Sequence, residues 1–125
     1  MYPIIFGGEF MAQMDLAAAT VIRRALHLSN CNKAVTYKVT DIIFLDAAES
    51  GDTLKLVATI VEARSNSLRV YVESFRERLA QVDIREEPTF DLIAKGSFVF
   101  VTKKDKDFYP HGLWLEGDKI CGESQ

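Results

Sequence analysis

Cysteine and histidine are scarce in this chain, with two of each, and that scarcity removes several kinds of chemistry. Cys31 and Cys121 lie far apart with no metal-ligand spacing. They are too few for a disulfide framework. A bridge between them is not expected in the reducing cytoplasm that this cysteine usage fits best. His27 and His111 have no serine or cysteine at a spacing that suggests a triad, and no His, Cys and Asp cluster suggests a metal site. Positive charge is not in excess either: 15 Lys and Arg stand against 18 Asp and Glu, a formal net charge of -3. The chain as a whole is therefore not built to hold nucleic acid, although a local basic patch for a phosphorylated ligand remains open. No uncharged apolar stretch is long enough to span a bilayer. The start, Met1 to Gly8, lacks the basic lead and long apolar run of a secretion signal. These absences predict a cytoplasmic protein with no membrane partner.

What is present is enough apolar material for one real core, 48% hydrophobic over 125 residues. The most informative stretch is the first. Gly7-Gly8 is a hinge, and from Phe10 to Ile22 the chain carries a single charge, Asp15, among Met11, Met14, Leu16, Ala17, Ala18, Ala19, Val21 and Ile22. Alanine, methionine and leucine favour helix, and no proline interrupts them. A helix ending near Leu28 is expected, with Ser29 to Asn32 as a loop. Apolar nearly all round, such a helix should be buried. A carboxylate held there loses hydration unless a partner compensates, and groups in that position gather at functional sites.

Four strand-like segments follow. Lys33 to Asp41 alternates, with Val35, Tyr37 and Val39 on one face. After Asp41 the apolar set shifts to Ile42, Ile43 and Phe44, which suggests a bulge or strong curvature. Glu49 to Asp52 is a turn. Thr53 to Glu62 places Leu54, Leu56, Ala58 and Ile60 on one face; Leu68 to Phe75 turns Leu68, Val70 and Val72 inward; Phe90 to Thr102 sets Phe98 and Phe100 opposite Val99 and Val101. Gln81 to Thr89 reads as a loop. Short polar turns favour an antiparallel meander. The domain is expected to span residues 1–103, followed by a charged, mobile tail over 104–125. A single helix that is apolar all round needs a strongly curved sheet, or a second subunit, to cover it.

This order resembles the hotdog fold, an α+β arrangement in which a curved antiparallel sheet wraps one long central helix. The motifs resemble one branch of it, the cytosolic acyl-CoA thioesterases. They are Ile5-Phe6-Gly7-Gly8, then Met14-Asp15-Leu16-Ala17-Ala18, Val35-Thr36, Phe44, Gly51-Asp52, Ser65-Asn66-Ser67, Val72-Glu73, and Gly96-Ser97-Phe98-Val99-Phe100-Val101. The matches run in order from Ile5 to about Val101. Three features depart from the family pattern. The Asn-containing loop that usually precedes Phe-Gly-Gly would fall before Met1, so either the start is truncated or another group does its work; the loop before Gly51 lacks proline; and Arg64 stands where glycine is common.

The resemblance implies hydrolysis of acyl-CoA, with no separate cofactor because coenzyme A arrives as part of the substrate. Thioester cleavage needs an activated nucleophile and donors for the oxyanion. The Gly7-Gly8 hinge opens the helix, so its free amides point outward, and the Gly8 amide is expected to polarise the carbonyl. Asp15, two turns in, acts either as general base on water, the favoured route, or as direct nucleophile. Phe6, Glu9, Met14 and Phe44 are assigned to substrate binding, Glu9 as a residue that shapes the acyl pocket and Met14, otherwise core, as one that lines an acyl tunnel. Arg64, Ser65, Asn66 and Ser67, with Arg69 nearby, are assigned to the coenzyme A phosphates, for which arginine supplies a donor fork.

Blander readings stand beside these. Asp15 can be an ion-pair partner for Arg23 or Arg24, Glu9 a first-turn acid on the helix dipole, the Arg64 turn an ordinary solvated one, and His27 a helix cap. The implied assembly is a homodimer or trimer of dimers, since one sheet and one helix leave an edge and a face to cover. A non-catalytic acyl-CoA binding or sensing protein is the first rival. A hotdog dehydratase is the second, and the lack of a histidine near Gly7-Gly8 counts against it.

Overall fold

A computed structural model describes residues 7–49, 51–78 and 87–123. The first element is α1 (Gly7–Leu26). Glu9 in its first turn and Arg23 and Arg24 in its last complement the helix dipole. Phe10, Met14, Ala18, Ile22 and Ala25 are all buried, and their spacing of three and four residues makes one apolar stripe. Burial all round is not what the structure gives. Ala12, Gln13 and Thr20 are exposed, Leu16 is 64% exposed, and Asp15, next to the stripe, is half-buried. The sheet of one chain reaches only one side of the helix. After Leu26 the chain tightens, with His27, Leu28 and Ser29 amides donating to the carbonyls of Arg24, Ala25 and Leu26.

The main sheet is antiparallel and contains β1 (Lys33–Phe44), β2 (Leu54–Arg64), β3 (Ser67–Glu77) and β4 (Phe90–Lys104), with the short β5 (Asp107–Phe108) paired to β4. Its order is β1-β4-β3-β2. The expected meander therefore holds for β2, β3 and β4, whereas β1 lies beyond β4 instead of beside β2. The connection between β1 and β2 is tied across the sheet. Leu45 and Asp46 amides donate to the Ile93 carbonyl. Arg76 donates to the Ala47 carbonyl and, at 2.7 Å, to Asp46.

Leu68, Val70 and Val72 from β3, Ile60 from β2, and Phe98 and Phe100 from β4 join the helix stripe in one core, as their alternation predicts. In β1 the expectation is half right. The register slips between Thr36 and Lys38 and again between Thr40 and Ile43, where Asp41 has a φ of 57°. The second slip is the bulge that the apolar shift after Asp41 suggests. The first inserts Tyr37, so Val39 turns to the core while Val35 and Tyr37 stay 44% and 67% exposed. These slips add twist and curvature to the sheet, and the result is the hotdog arrangement of sheet around helix.

Beyond Lys103, where a mobile tail is expected, the structure holds β5 and a hairpin of β6 (Leu113–Glu116) and β7 (Lys119–Gly122). His111 and Leu113 are buried there, and Leu115 and Ile120 pack against the core. Charge dominates the composition of this stretch, and composition hid the alternating apolar residues. Among the described residues no helix is long and apolar enough to cross a membrane. Cys31 and Cys121 are both free thiols.

Candidate functional site

Asp15 is held from outside its own helix. The Thr36 hydroxyl donates to Asp15 Oδ1 at 2.9 Å. Thr36 stands opposite Phe100 in the register, on the face of β1 that looks toward α1. One carboxylate oxygen is thereby fixed in direction. Among the described residues Asp15 makes no ion pair with Arg23 or Arg24, so the ion-pair reading finds no support in this chain. Helix geometry places Gly8 seven residues before Asp15, on the same face and about 10 Å away along the axis. The first-turn amides have no acceptor within the helix, so one helical face carries free donors at its start and a carboxylate two turns on.

The other expected acyl-side residues divide. Phe44 is half exposed and meets the Phe10 ring edge-on, with centroids 5.9 Å apart and planes at 89°. Glu9 is exposed, in keeping with a first-turn acid. Met14 is 0% exposed and sits in the core, so in this chain it supports the stripe and does not line a cleft. Phe6 lies outside the described residues. One turn beyond Asp15, an open groove of about 330 Å³ runs between α1 and β1, floored by Ala19, Ile22, Leu26, Ala34 and Phe100. Arg23 and Lys33 stand at its rim.

Arg64, Ser65, Asn66 and Ser67 are brought together as the turn between β2 and β3, but away from Asp15. Ser67 pairs with Val101, whereas Leu68 pairs with the inward-facing Phe100, so Ser67 belongs to the outer face. There Arg64, Asn66, Ser67, Arg69 and Lys38 line an open concavity of about 510 Å³. Glu62 lies within it, 3.0 Å from Arg64 and 3.9 Å from Arg69. Three cations against one carboxylate leave this hollow net positive, and Arg69 also donates to the Thr40 hydroxyl. Within one chain the carboxylate and the basic turn are thus on opposite faces of the sheet.

Sequence reasoning missed the contact of Thr36 with Asp15. Thr36 was visible only as half of a Val-Thr motif, and no periodicity links two residues 21 apart. It also missed His111, which the fold buries against the basic turn. Among the described residues no group of His, Cys, Asp and Glu is placed to hold a metal ion.

Known proteins share this fold. The chain is 26% identical over 113 residues, 90% of its length and 79% of the relative's, to the acyl-CoA thioester hydrolase YciA of Salmonella typhimurium. Among solved structures it resembles a hexameric hotdog-fold thioesterase of Campylobacter jejuni, with 26% identity, a TM-score of 0.69, and coverage of 86% of this chain and 77% of that one. It also resembles an acyl-CoA hydrolase of Staphylococcus aureus solved with butyryl coenzyme A, coenzyme A and coenzyme A disulfide. That match has 26% identity, a TM-score of 0.70, and coverage of 95% of this chain and 62% of that one. A family model described as the thioesterase superfamily matches residues 2–82. With more than half of its length matched to that model and its helix and sheet in the hotdog arrangement, the chain belongs to the thioesterase superfamily.

Proposed function

We propose that this protein hydrolyses acyl-CoA thioesters to coenzyme A and a carboxylic acid, with Asp15 as general base and the Gly8 amide polarising the carbonyl. The observation that carries the reading is the Thr36–Asp15 hydrogen bond on the helical face that begins at the Gly7-Gly8 turn. The relatives that act on, or are bound to, coenzyme A derivatives support it.

Spacing favours water over direct attack. A carbonyl oxygen within hydrogen-bond reach of the helix start leaves its carbon several ångströms short of Asp15, since about 10 Å of helix separates the two positions. A water molecule fills that interval. Asp15 takes its proton as the oxygen adds to the thioester carbon, and the charge that develops on the carbonyl oxygen meets the free amides and positive end of α1. The tetrahedral species then collapses, the C–S bond breaks, and coenzyme A leaves as a thiolate that is protonated from solvent. No separate cofactor enters.

The basic turn is the second half of the reading. Arg64 and Arg69 offer forked donors to phosphate, with Ser65, Asn66 and Ser67 beside them. It lies on the other face of the sheet from Asp15, so self-association completes the site, one subunit's turn serving another's carboxylate. The edge strand β1, with Val35, Tyr37, Ile43 and Phe44 each at least 44% exposed, is the surface that a homodimer, or a trimer of dimers, would cover.

The test is release of free thiol from short, medium, long and aryl acyl-CoAs, followed with a thiol reagent, alongside a solution mass. Turnover by an oligomer is expected. Tight coenzyme A binding with no thiol released from any of them would replace this reading with a binding or sensing role.

A further inference from the structure

The β2–β3 turn is exposed at Arg64, Ser65 and Asn66, the kind of position where a hairpin tip is ordinarily loose. Here three successive carbonyls of that tip are tied down. The Ser65 carbonyl accepts from the His111 amide at 3.0 Å, the Asn66 carbonyl from the Thr102 amide at 2.9 Å, and the Ser67 carbonyl from the His111 ring at Nε2, 3.1 Å away. Two of the three ties therefore come from one residue, 44 positions downstream of Ser67.

His111 is 1% exposed, and all its polar atoms are engaged. Its Nδ1 lies 2.8 Å from the Leu113 amide. An amide only donates, so Nδ1 is the bare acceptor. The Ser67 carbonyl only accepts, so Nε2 carries the proton. One tautomer satisfies both. The positive φ of Gly112, 69°, allows the chain to fold Leu113 back onto the ring, and a Cβ at Gly112 would meet Asn30 Nδ2 at 2.8 Å. On the other side the His111 carbonyl accepts from the Ser29 hydroxyl at 2.8 Å and the Asn30 amide at 3.3 Å. The loop after α1, the segment before β6 and the hairpin tip are joined through a single side chain and its backbone.

We propose that His111 is a positioning residue for coenzyme A phosphate binding: its neutral Nε2–H ring holds the Arg64–Ser67 turn in its ligand-ready shape. The inference rests on the reading of that turn as the phosphate site. His111 touches no substrate. It acts by ordering donors in advance, so that less freedom is lost when the ligand arrives. A second consequence is that the ring matters for phosphate-bearing substrates and not for the chemical step.

Two near-isosteric variants separate this from simple stability. His111→Asn presents an oxygen near the Nδ1 position and keeps the Leu113 contact while losing Ser67. His111→Gln presents an amide N–H near the Nε2 position and keeps Ser67. With butyryl-CoA, His111→Asn is expected to raise KM about three- to tenfold, the size of one hydrogen bond, with kcat near wild type, and His111→Gln to restore KM. With S-butyryl pantetheine, which has no phosphate, His111→Asn should leave kcat/KM unchanged. Arg64→Gln with Arg69→Gln serves as the control. If that double variant raises KM for butyryl-CoA while His111→Asn does not, or if His111→Asn weakens both substrates alike, the positioning role is overturned and the phosphate site stands. If the double variant leaves KM unchanged, the phosphate site falls and the inference with it. Nitrogen-15 NMR of the wild-type ring tests the geometry without any substitution, and an Nδ1–H tautomer would overturn the proposal even if the variants failed to fold.

Discussion

Thr36 and Asp15 meet at 2.9 Å, hydroxyl to carboxylate, across the gap between an edge strand and the middle of the helix. The bulge that follows Thr36 in β1 separates this threonine from the regular alternation of the strand. It also leaves Val35 and Tyr37 exposed beside it. The carboxylate is half-buried, directed by one donor, and free of ion pairs among the described residues. That combination suits a base that must exchange protons with water.

Asp15→Asn keeps the shape of the side chain and removes its ability to take a proton. Thioester turnover should fall by about 10²–10⁴-fold, the range for a positioned acid–base group, while coenzyme A binding and the thermal midpoint stay close to wild type. Thiol release under single-turnover conditions checks the chemical step directly. Retained turnover would remove Asp15 from the mechanism.

Thr36→Val deletes the hydroxyl and preserves the branched shape. The expected loss is about ten- to a hundredfold in kcat, matching one hydrogen bond to a charged group, with little change in stability because Thr36 is exposed. Thr36→Ser, which restores the donor, should recover most of the rate. A valine variant as fast as wild type would make the contact incidental.

Replacing Arg64 and Arg69 with glutamine should weaken phosphate-bearing substrates selectively. KM for butyryl-CoA is expected to rise while KM for S-butyryl pantetheine does not. The wild-type KM should also rise with added salt, because the hollow around Arg64, Arg69 and Lys38 is open to solvent and exposed charge is screened. A salt-independent KM would count against an electrostatic contribution.

Acid should loosen the loop end of the sheet. The Asp46 carboxyl is held below its ordinary value by the Ala47 amide and by Arg76, and the Asp91 carboxyl by Arg78. Both groups favour the folded state fully above the unfolded carboxylate value of about 3.9. That contribution is lost as pH falls through their lowered folded values. Thermal midpoints recorded between pH 6 and pH 2 should therefore drop more steeply below about pH 4 in the wild type than in Asp46→Asn with Asp91→Asn. Both acids are solvent-facing, so the difference will be small. Identical curves would show that these pairs do not contribute.

Much of this molecule follows from local pattern. Unbroken helix-favouring residues from Phe10 to Ile22 make a helix, of which the four-residue series Phe10, Met14, Ala18 and Ile22 is the buried face, and the alternation through Leu68, Val70 and Val72, and through Phe98 and Phe100, makes strands with a defined inner side. The Gly-Gly opening, the lone acid and the Arg-Ser-Asn-Ser turn were legible for the same reason, because each is a short run of residues with a chemical character of its own. Only the tertiary structure decided what those runs meet. It set β1 beyond β4, chose Thr36 as the partner of Asp15, put the basic turn and the acid on opposite faces, and buried His111 against Ser65 and Ser67. Periodicity reports which side of an element is apolar. It carries no information about which strands pair, the bulge at Tyr37, or a hydrogen bond between residues 44 positions apart, because those are settled when separate elements pack and their polar groups must find partners.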